Sequence, residues 1–107
     1  MASDWMVMRD THVVLAQVGV GWDEFKRLRA VVEAANALRR LPLLGRLQGY
    51  WEDADYRPDE IATLRAELVE IGQVPALRNT DRELLDQLLG LCDLAIREGR
   101  SIEVRAD

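Results

Sequence analysis

Cysteine and histidine are nearly missing from this chain: Cys92 and His12 are the only representatives among 107 residues. A lone cysteine excludes an intrachain disulfide and a cysteine-rich metal site, and it permits a reducing compartment. A structural zinc site needs several converging ligands, so the same scarcity argues against one. His12 stands at the edge of an apolar run, where a hydrogen-bonded structural histidine is the expected role. Cys92 lies one turn beyond Leu88 on a helical stripe, which suits a buried, inert thiol rather than a nucleophile. No window approaches the roughly 18 uninterrupted apolar residues of a membrane-spanning helix. Met1-Ala2-Ser3-Asp4-Trp5 lacks the basic region and apolar run of a signal peptide, so the expected location is cytoplasmic. Gly19-Val20-Gly21 lacks the third glycine of a dinucleotide loop, and no Walker-type lysine follows a glycine run. Neither a cofactor nor a resident metal is expected.

Basic charge is also short. The net charge is −5, which argues against general affinity for nucleic acid, whose backbone demands a basic footprint. The distribution says more than the sum. Residues 1–21 carry −1, residues 22–46 carry +3, and residues 47–107 carry −7 from 14 acids against seven arginines. An acidic half is compatible with a basic protein partner, because opposite fields speed association. The plainer alternative is that the charge keeps a small protein soluble.

What is present is hydrophobic residue, 49% of the chain. A domain of this length buries roughly 60–70% of its unfolded surface, enough for one core and too little for two, so residues 1–107 are read as a single compact domain. Trp5-Met6-Val7-Met8-Arg9 and His12-Val13-Val14-Leu15-Ala16-Gln17-Val18 read as a strand pair, a hairpin broken at Asp10-Thr11. The near-continuous second run suits a strand covered on both faces, with a buried helix as the competing reading. Gly19 and Gly21 end it in a turn.

Three helices are expected next. Asp23 and Glu24 open the first, with Phe25, Leu28, Val32, Ala35 and Leu38 on one stripe and Pro42 marking the stop. Pro58 suits the first helical position of the second, whose stripe is Ile61, Leu64, Leu68 and Ile71, with Gly72 as a left-handed stop. Thr80-Asp81-Arg82-Glu83 reads as a capping box for the third, which runs through Leu84, Leu85, Leu88, Leu91, Cys92, Ala95 and Ile96 to Gly99. Arg82/Asp86 and Asp93/Arg97 are spaced as supporting i,i+4 pairs. Ser101-Ile102-Glu103-Val104-Arg105 alternates as a closing strand. Residues 43–51 are read as irregular structure with a short helical turn, a strand being the alternative. The expected fold is therefore α+β: a small antiparallel sheet, made of the N-terminal strand pair and the C-terminal strand, packed against three amphipathic helices.

The chain is organised around Tyr50–Glu60, where three aromatics stand among five carboxylates and one arginine. Glu52, Asp53, Asp55, Asp59 and Glu60 are of the type that holds a hard cation, yet Asp53, Asp55 and Asp59 do not fit the calcium loop, which wants acids at alternate positions, a central glycine and a final glutamate. Paired carboxylates for glycoside chemistry need a cleft that so small a domain has little room for. What remains is recognition. Trp51 and Tyr56 with Glu52, Asp53, Asp55, Asp59 and Glu60 have the composition of a protein-binding patch with aromatic anchors. The alternative has Trp51 and Tyr56 tucked into the core, stapling the segment to the helix that follows.

Pro42-Leu43-Leu44, Tyr50-Trp51, the acidic run, Glu60-Ile61 with Leu64, Glu67-Leu68 and Leu88-x-x-Leu91-Cys92-x-x-Ala95 closing on Gly99 and Ala106-Asp107 resemble small bacterial proteins. Some of these serve as immunity proteins of polymorphic toxin systems. The resemblance covers residues 42–107 and brings no catalytic residues. It implies a stoichiometric inhibitor that covers a toxin's active site. Two other classes stay open: a homo-oligomeric structural or regulatory protein, such as a homodimer in which the basic segment of one copy meets the acidic half of another, and a small-molecule-binding enzyme using Trp51, Tyr56 and carboxylates.

Overall fold

Alternating side chains and short polar breaks give this chain its sheet, and the helical stripes cover one face of it. The computed structural model describes residues 3–10, 13–36, 41–47, 54–75 and 77–106. Among these, strands β1 (Ser3–Asp10), β2 (Val13–Val20), β3 (Ala54–Tyr56) and β4 (Ile102–Ala106) form one antiparallel sheet in the order β2-β1-β4-β3. Helices α1 (Trp22–Asn36), α2 (Ile61–Gly72) and α3 (Asn79–Glu98) complete the α+β fold, with short 3₁₀ turns at Leu44–Leu47 and Pro58–Glu60. The expected three-stranded sheet thus has a fourth strand, and it lies inside the acidic–aromatic stretch.

Register sorts the two faces. Across the inner face, Val18, Trp5, Val104 and Ala54 line up from strand to strand, as do Ala16, Val7, Ile102 and Tyr56. The innermost of these belong to one buried cluster with Phe25, Ile61, Leu64, Leu68, Ile71, Leu84, Leu88, Leu91 and Cys92. All four residues of the α2 stripe are buried, so the 3.6-residue spacing read from the sequence is the core-facing side. The outer face carries Asp4, Met6, Gln17, Glu103, Arg105 and Asp55, because each strand side chain alternates across the sheet.

Local readings failed where a distant group decided the outcome. β2 is an edge strand, with Val13, Val14 and Leu15 exposed, so its apolar run is not covered on both faces. Its pairing skips Leu15 between Val7–Ala16 and Met8–Val14, a bulge, and shifts again between Met8 and Asp10. α3 starts at Asn79, and Thr80 is exposed instead of capping it. The backbone N–H of Arg78 donates to Asp81 Oδ2 at 3.1 Å, and Asp81 is fully buried against Arg27 of α1. That long-range pair sets the start of the helix. Gly72 is not a left-handed stop; α2 ends at Gln73 in right-handed geometry, while Gly99, at φ 65°, closes α3 in the left-handed region. Arg82 turns from Asp86 to donate to the carbonyls of Gly72, the last residue of α2, and Val74, just beyond it. Asp93 likewise joins Arg65 of α2 at 2.6 Å, not Arg97. Ile96 is exposed, off the buried stripe. The expected stretch of α1 beyond Asn36, His12, Trp51, Glu52 and Asp53 lie outside the described residues.

Candidate functional site, an acidic corner at the short edge of the sheet

Strand β3 and the turn at Pro58–Glu60 form a corner whose side chains alternate between core and solvent. Ala54 and Tyr56 point in, and Asp55 points out. Pro58 then sets the backbone for a helical start, since its missing N–H needs no partner there. Asp59 projects into solvent, its side chain 71% exposed, while the side chain of Glu60 folds back to 12% exposure.

Tyr56 is a core residue. It is wholly buried, its ring stacks near Trp5 of β1 with centroids 6.0 Å apart, and its hydroxyl donates to Leu43 O at 2.8 Å. Of the two readings of this aromatic, the inward staple is the one the structure has. A surface anchor must be reachable, and Tyr56 is not. Burial also pushes its phenol well above the ordinary range, the nearby Arg46 opposing that only in part.

Arg46 is the clip that holds the corner. Its guanidinium lies 5.5 Å above the Tyr56 ring, and it donates to the backbone oxygen of Asp55 at 3.1 Å and to Glu60 Oε1 at 3.0 Å. Glu60 takes a further bond from the backbone N–H of Arg57 at 3.0 Å. The Arg46 hydrogen bond first, and the Arg57 N–H second, hold the Glu60 carboxyl at about 2, against an ordinary 4.5. Both groups stabilise the charged form, which lowers the pKa.

The outward acids also have arginines. Asp55 Oδ1 accepts from Arg105 Nη1 at 2.8 Å, and the other arm of Arg105 reaches Glu103 at 2.8 Å. Arg57 lies 3.3 Å from Asp59. The Asp55–Arg105 and Arg57–Asp59 pairs are solvent-exposed, so each is worth at most about 1 kcal/mol and opens readily to another partner. Glu60 differs: it belongs to the frame.

A second carboxylate supports the frame from below. Glu67 of α2 is buried and accepts from the backbone N–H groups of Leu43 and Leu44 at 3.2 and 2.9 Å. It fixes the segment whose carbonyl receives Tyr56. Sequence reasoning missed Arg46, Glu67 and Arg105 in these roles. The partners that decide these roles, Asp55 for Arg46 and Arg105 and Leu44 for Glu67, lie 9, 50 and 23 residues away, beyond the reach of any helical or strand period. The one available signal was the alternation of Glu103 and Arg105 on β4, which put both on the face that β3 joins.

Chemically, the described corner offers two exposed carboxylates on a rigid frame, with guanidinium groups between them. Cys92 contributes nothing to it, since the thiol is fully buried and burial pushes it up to about 12. Among the described residues no group of three or more histidine, cysteine, aspartate or glutamate side chains is placed to hold a metal ion. No described helix is long and apolar enough to cross a membrane. Comparison of the chain with protein-family models, with curated proteins and with solved structures finds no match.

Proposed function

We propose that this chain is a non-enzymatic interaction protein of the immunity type, which binds a basic bacterial toxin in the cytoplasm through its acidic corner. One observation carries the reading: Asp55 and Asp59 stand outward, 64% and 71% exposed at the side chain, from a segment locked by Tyr56 and Glu60. A surface held in its binding shape avoids the ordering cost of association. Carboxylates at fixed positions occupy a basic cleft as substrate phosphates would, and the excess of acids over residues 47–107 steers the encounter. Trp51, Glu52 and Asp53 adjoin this corner in sequence and extend the proposed contact with an aromatic anchor and two further charges. Tyr56 serves beneath it as a support.

The partner is sought as the product of a neighbouring gene, and binding is followed by calorimetry at low and high salt. The wild-type chain is expected to form a one-to-one complex whose affinity falls with salt. Asp55→Lys with Asp59→Lys should weaken it by at least about tenfold, since like charges then face each other across the interface, and should flatten the salt dependence. Unchanged affinity would remove this corner from the interface.

A further inference from the structure

The opposite edge of the sheet has no such guards. β2 runs for eight residues, Val13–Val20, without one charged side chain and without proline. β1 pairs with one side of it, and among the described residues nothing pairs with the other. A strand edge of this kind presents a row of free backbone N–H and C=O groups, which sheet proteins usually blunt with lysine, proline or a very short strand. Here the interruptions are the bulge at Leu15 and a second register shift opposite Val13-Val14, between Met8 and Asp10. Large apolar side chains gather at both ends. Val13, Val14 and Leu15 are 42%, 41% and 42% exposed, and Trp22, two residues past the strand, is 36% exposed.

We propose that β2 pairs antiparallel with β2 of a second copy of this chain, joining the two sheets into one of eight strands about a two-fold axis. Three features select this occupant. The edge is neutral, so a copy of itself meets no like charge. Antiparallel pairing brings unlike ends together, which sets Val13-Val14-Leu15 of each copy toward Trp22 of the other, where Lys26 lies 5.0 Å over the ring. The third feature is the far edge. β3 has three residues, carries Asp55 and is followed by Pro58, so head-to-tail pairing of β2 with a partner's β3 finds little to bond. It also leads to open chains rather than a closed pair.

Charge permits the two-fold arrangement. Each copy carries −5, yet the acidic β3 edges lie at the two ends of the joined sheet. With strands about 4.8 Å apart, seven spacings hold them about 34 Å from each other, against a screening length of about 8 Å at physiological salt. The seam itself is about 26 Å long for eight residues. Both acidic corners stay open, so the dimer would present two of them, one at each end. The seam and the corner stand on separate observations.

Sedimentation velocity of the full chain over a dilution series tests this, with amide hydrogen exchange as the second readout. A concentration-dependent dimer is expected, undiminished by high salt, with slowed exchange along Val13–Val20 as concentration rises. Leu15→Lys with Gln17→Lys should weaken the dimer by at least about tenfold, because lysines at the seam face their own copies. Both positions are exposed, and Gln17→Lys alone repeats the test should the double variant lose its fold. Asp55→Lys with Asp59→Lys should leave the dimer intact, so this inference and the acidic-corner reading fail separately. A chain that stays monomeric throughout, a dimer indifferent to the β2 lysines, assemblies that grow beyond two, or a dimer dissolved by salt would overturn the proposal. The last result would point to docking between the basic segment and the acidic half.

Discussion

The two free edges of this sheet solve the same problem in opposite ways. β3 is three residues long, with an aspartate in its centre and a proline shortly after it, and it is clipped by Arg46 and Arg105. β2 is eight residues long and neutral, and among the described residues its outer side has no strand partner. Backbone groups at an edge must bond to something, so side-chain chemistry decides what each edge admits. Arginine donors already meet the carbonyls of Ala54 and Asp55, which leaves β3 as a display surface for carboxylates. At β2 the backbone itself is the surface. The proposed charge recognition rests on the first edge and the proposed strand pairing on the second.

That contrast is broken most severely from underneath. Tyr56→Ala removes a fully buried ring, its stacking against Trp5 and its bond to Leu43. Deletions of this kind cost about 3–5 kcal/mol, a large part of the roughly 5–15 kcal/mol that holds a domain together. Thermal denaturation should show the midpoint lowered by more than about 10 °C. Leu15→Ala, a truncation of an exposed residue on the other edge, should change the stability of the monomer by less than about 0.5 kcal/mol. Comparable losses at the two positions would mean that β2 is no more a bare edge than β3.

How far the sequence reached follows the same divide between local and distant causes. The stripes Ile61-Leu64-Leu68-Ile71 and Leu84-Leu88-Leu91-Ala95 are internal to one helix, and the alternation of Ile102 and Val104 is internal to one strand. Periodicity therefore exposed them, and all are buried. Pro58 at a helical start is equally local. The Thr80 cap failed because Asp81 answers to Arg27, 54 residues away. β3 was hidden because three residues are too few to show a period, and its acids read as solvent-facing throughout. The corner was legible as composition but not as roles: Asp55 and Asp59 face water as expected, whereas Tyr56 and Glu60 are structural, assigned by Leu43 and Arg46 from another segment. For β2 the hydrophobic run was legible, but its position in the sheet was not. Strand order is a property of the whole chain.

Acid should loosen the β3 edge. The Glu60 carboxyl is depressed in the folded chain, so its contribution to stability is complete above its ordinary 4.5 and is lost as pH falls toward about 2. Asp81 is also lowered, chiefly by its hydrogen bonds from Arg27, and adds a loss of the same sign. Urea titrations between those two pH values should show wild-type stability falling, with a shallower fall for Glu60→Gln. That variant keeps the residual slope from Asp81 and other carboxylates. An identical slope in both proteins would mean that Glu60 titrates normally and that Arg46 does not hold it.

The smallest effect is expected at the most conspicuous contact. Asp55 and Arg105 meet at 2.8 Å on the outer face, and a count of ion pairs would rank them beside Arg27–Asp81. Asp55 is 64% exposed, however, so water screens the charge and replaces the lost bond. Exposed pairs contribute at most about 1 kcal/mol, and Arg105 keeps Glu103 after Asp55→Asn. Thermal and urea denaturation should therefore place Asp55→Asn within about 0.5 kcal/mol of the wild type. A loss several times larger would show that the pair fastens β3 to β4, and an aspartate fully committed to its own fold has no charge to lend a partner. A near-neutral result leaves Asp55 as the carboxylate that the acidic edge can give away, because the frame beneath it stands without that bond.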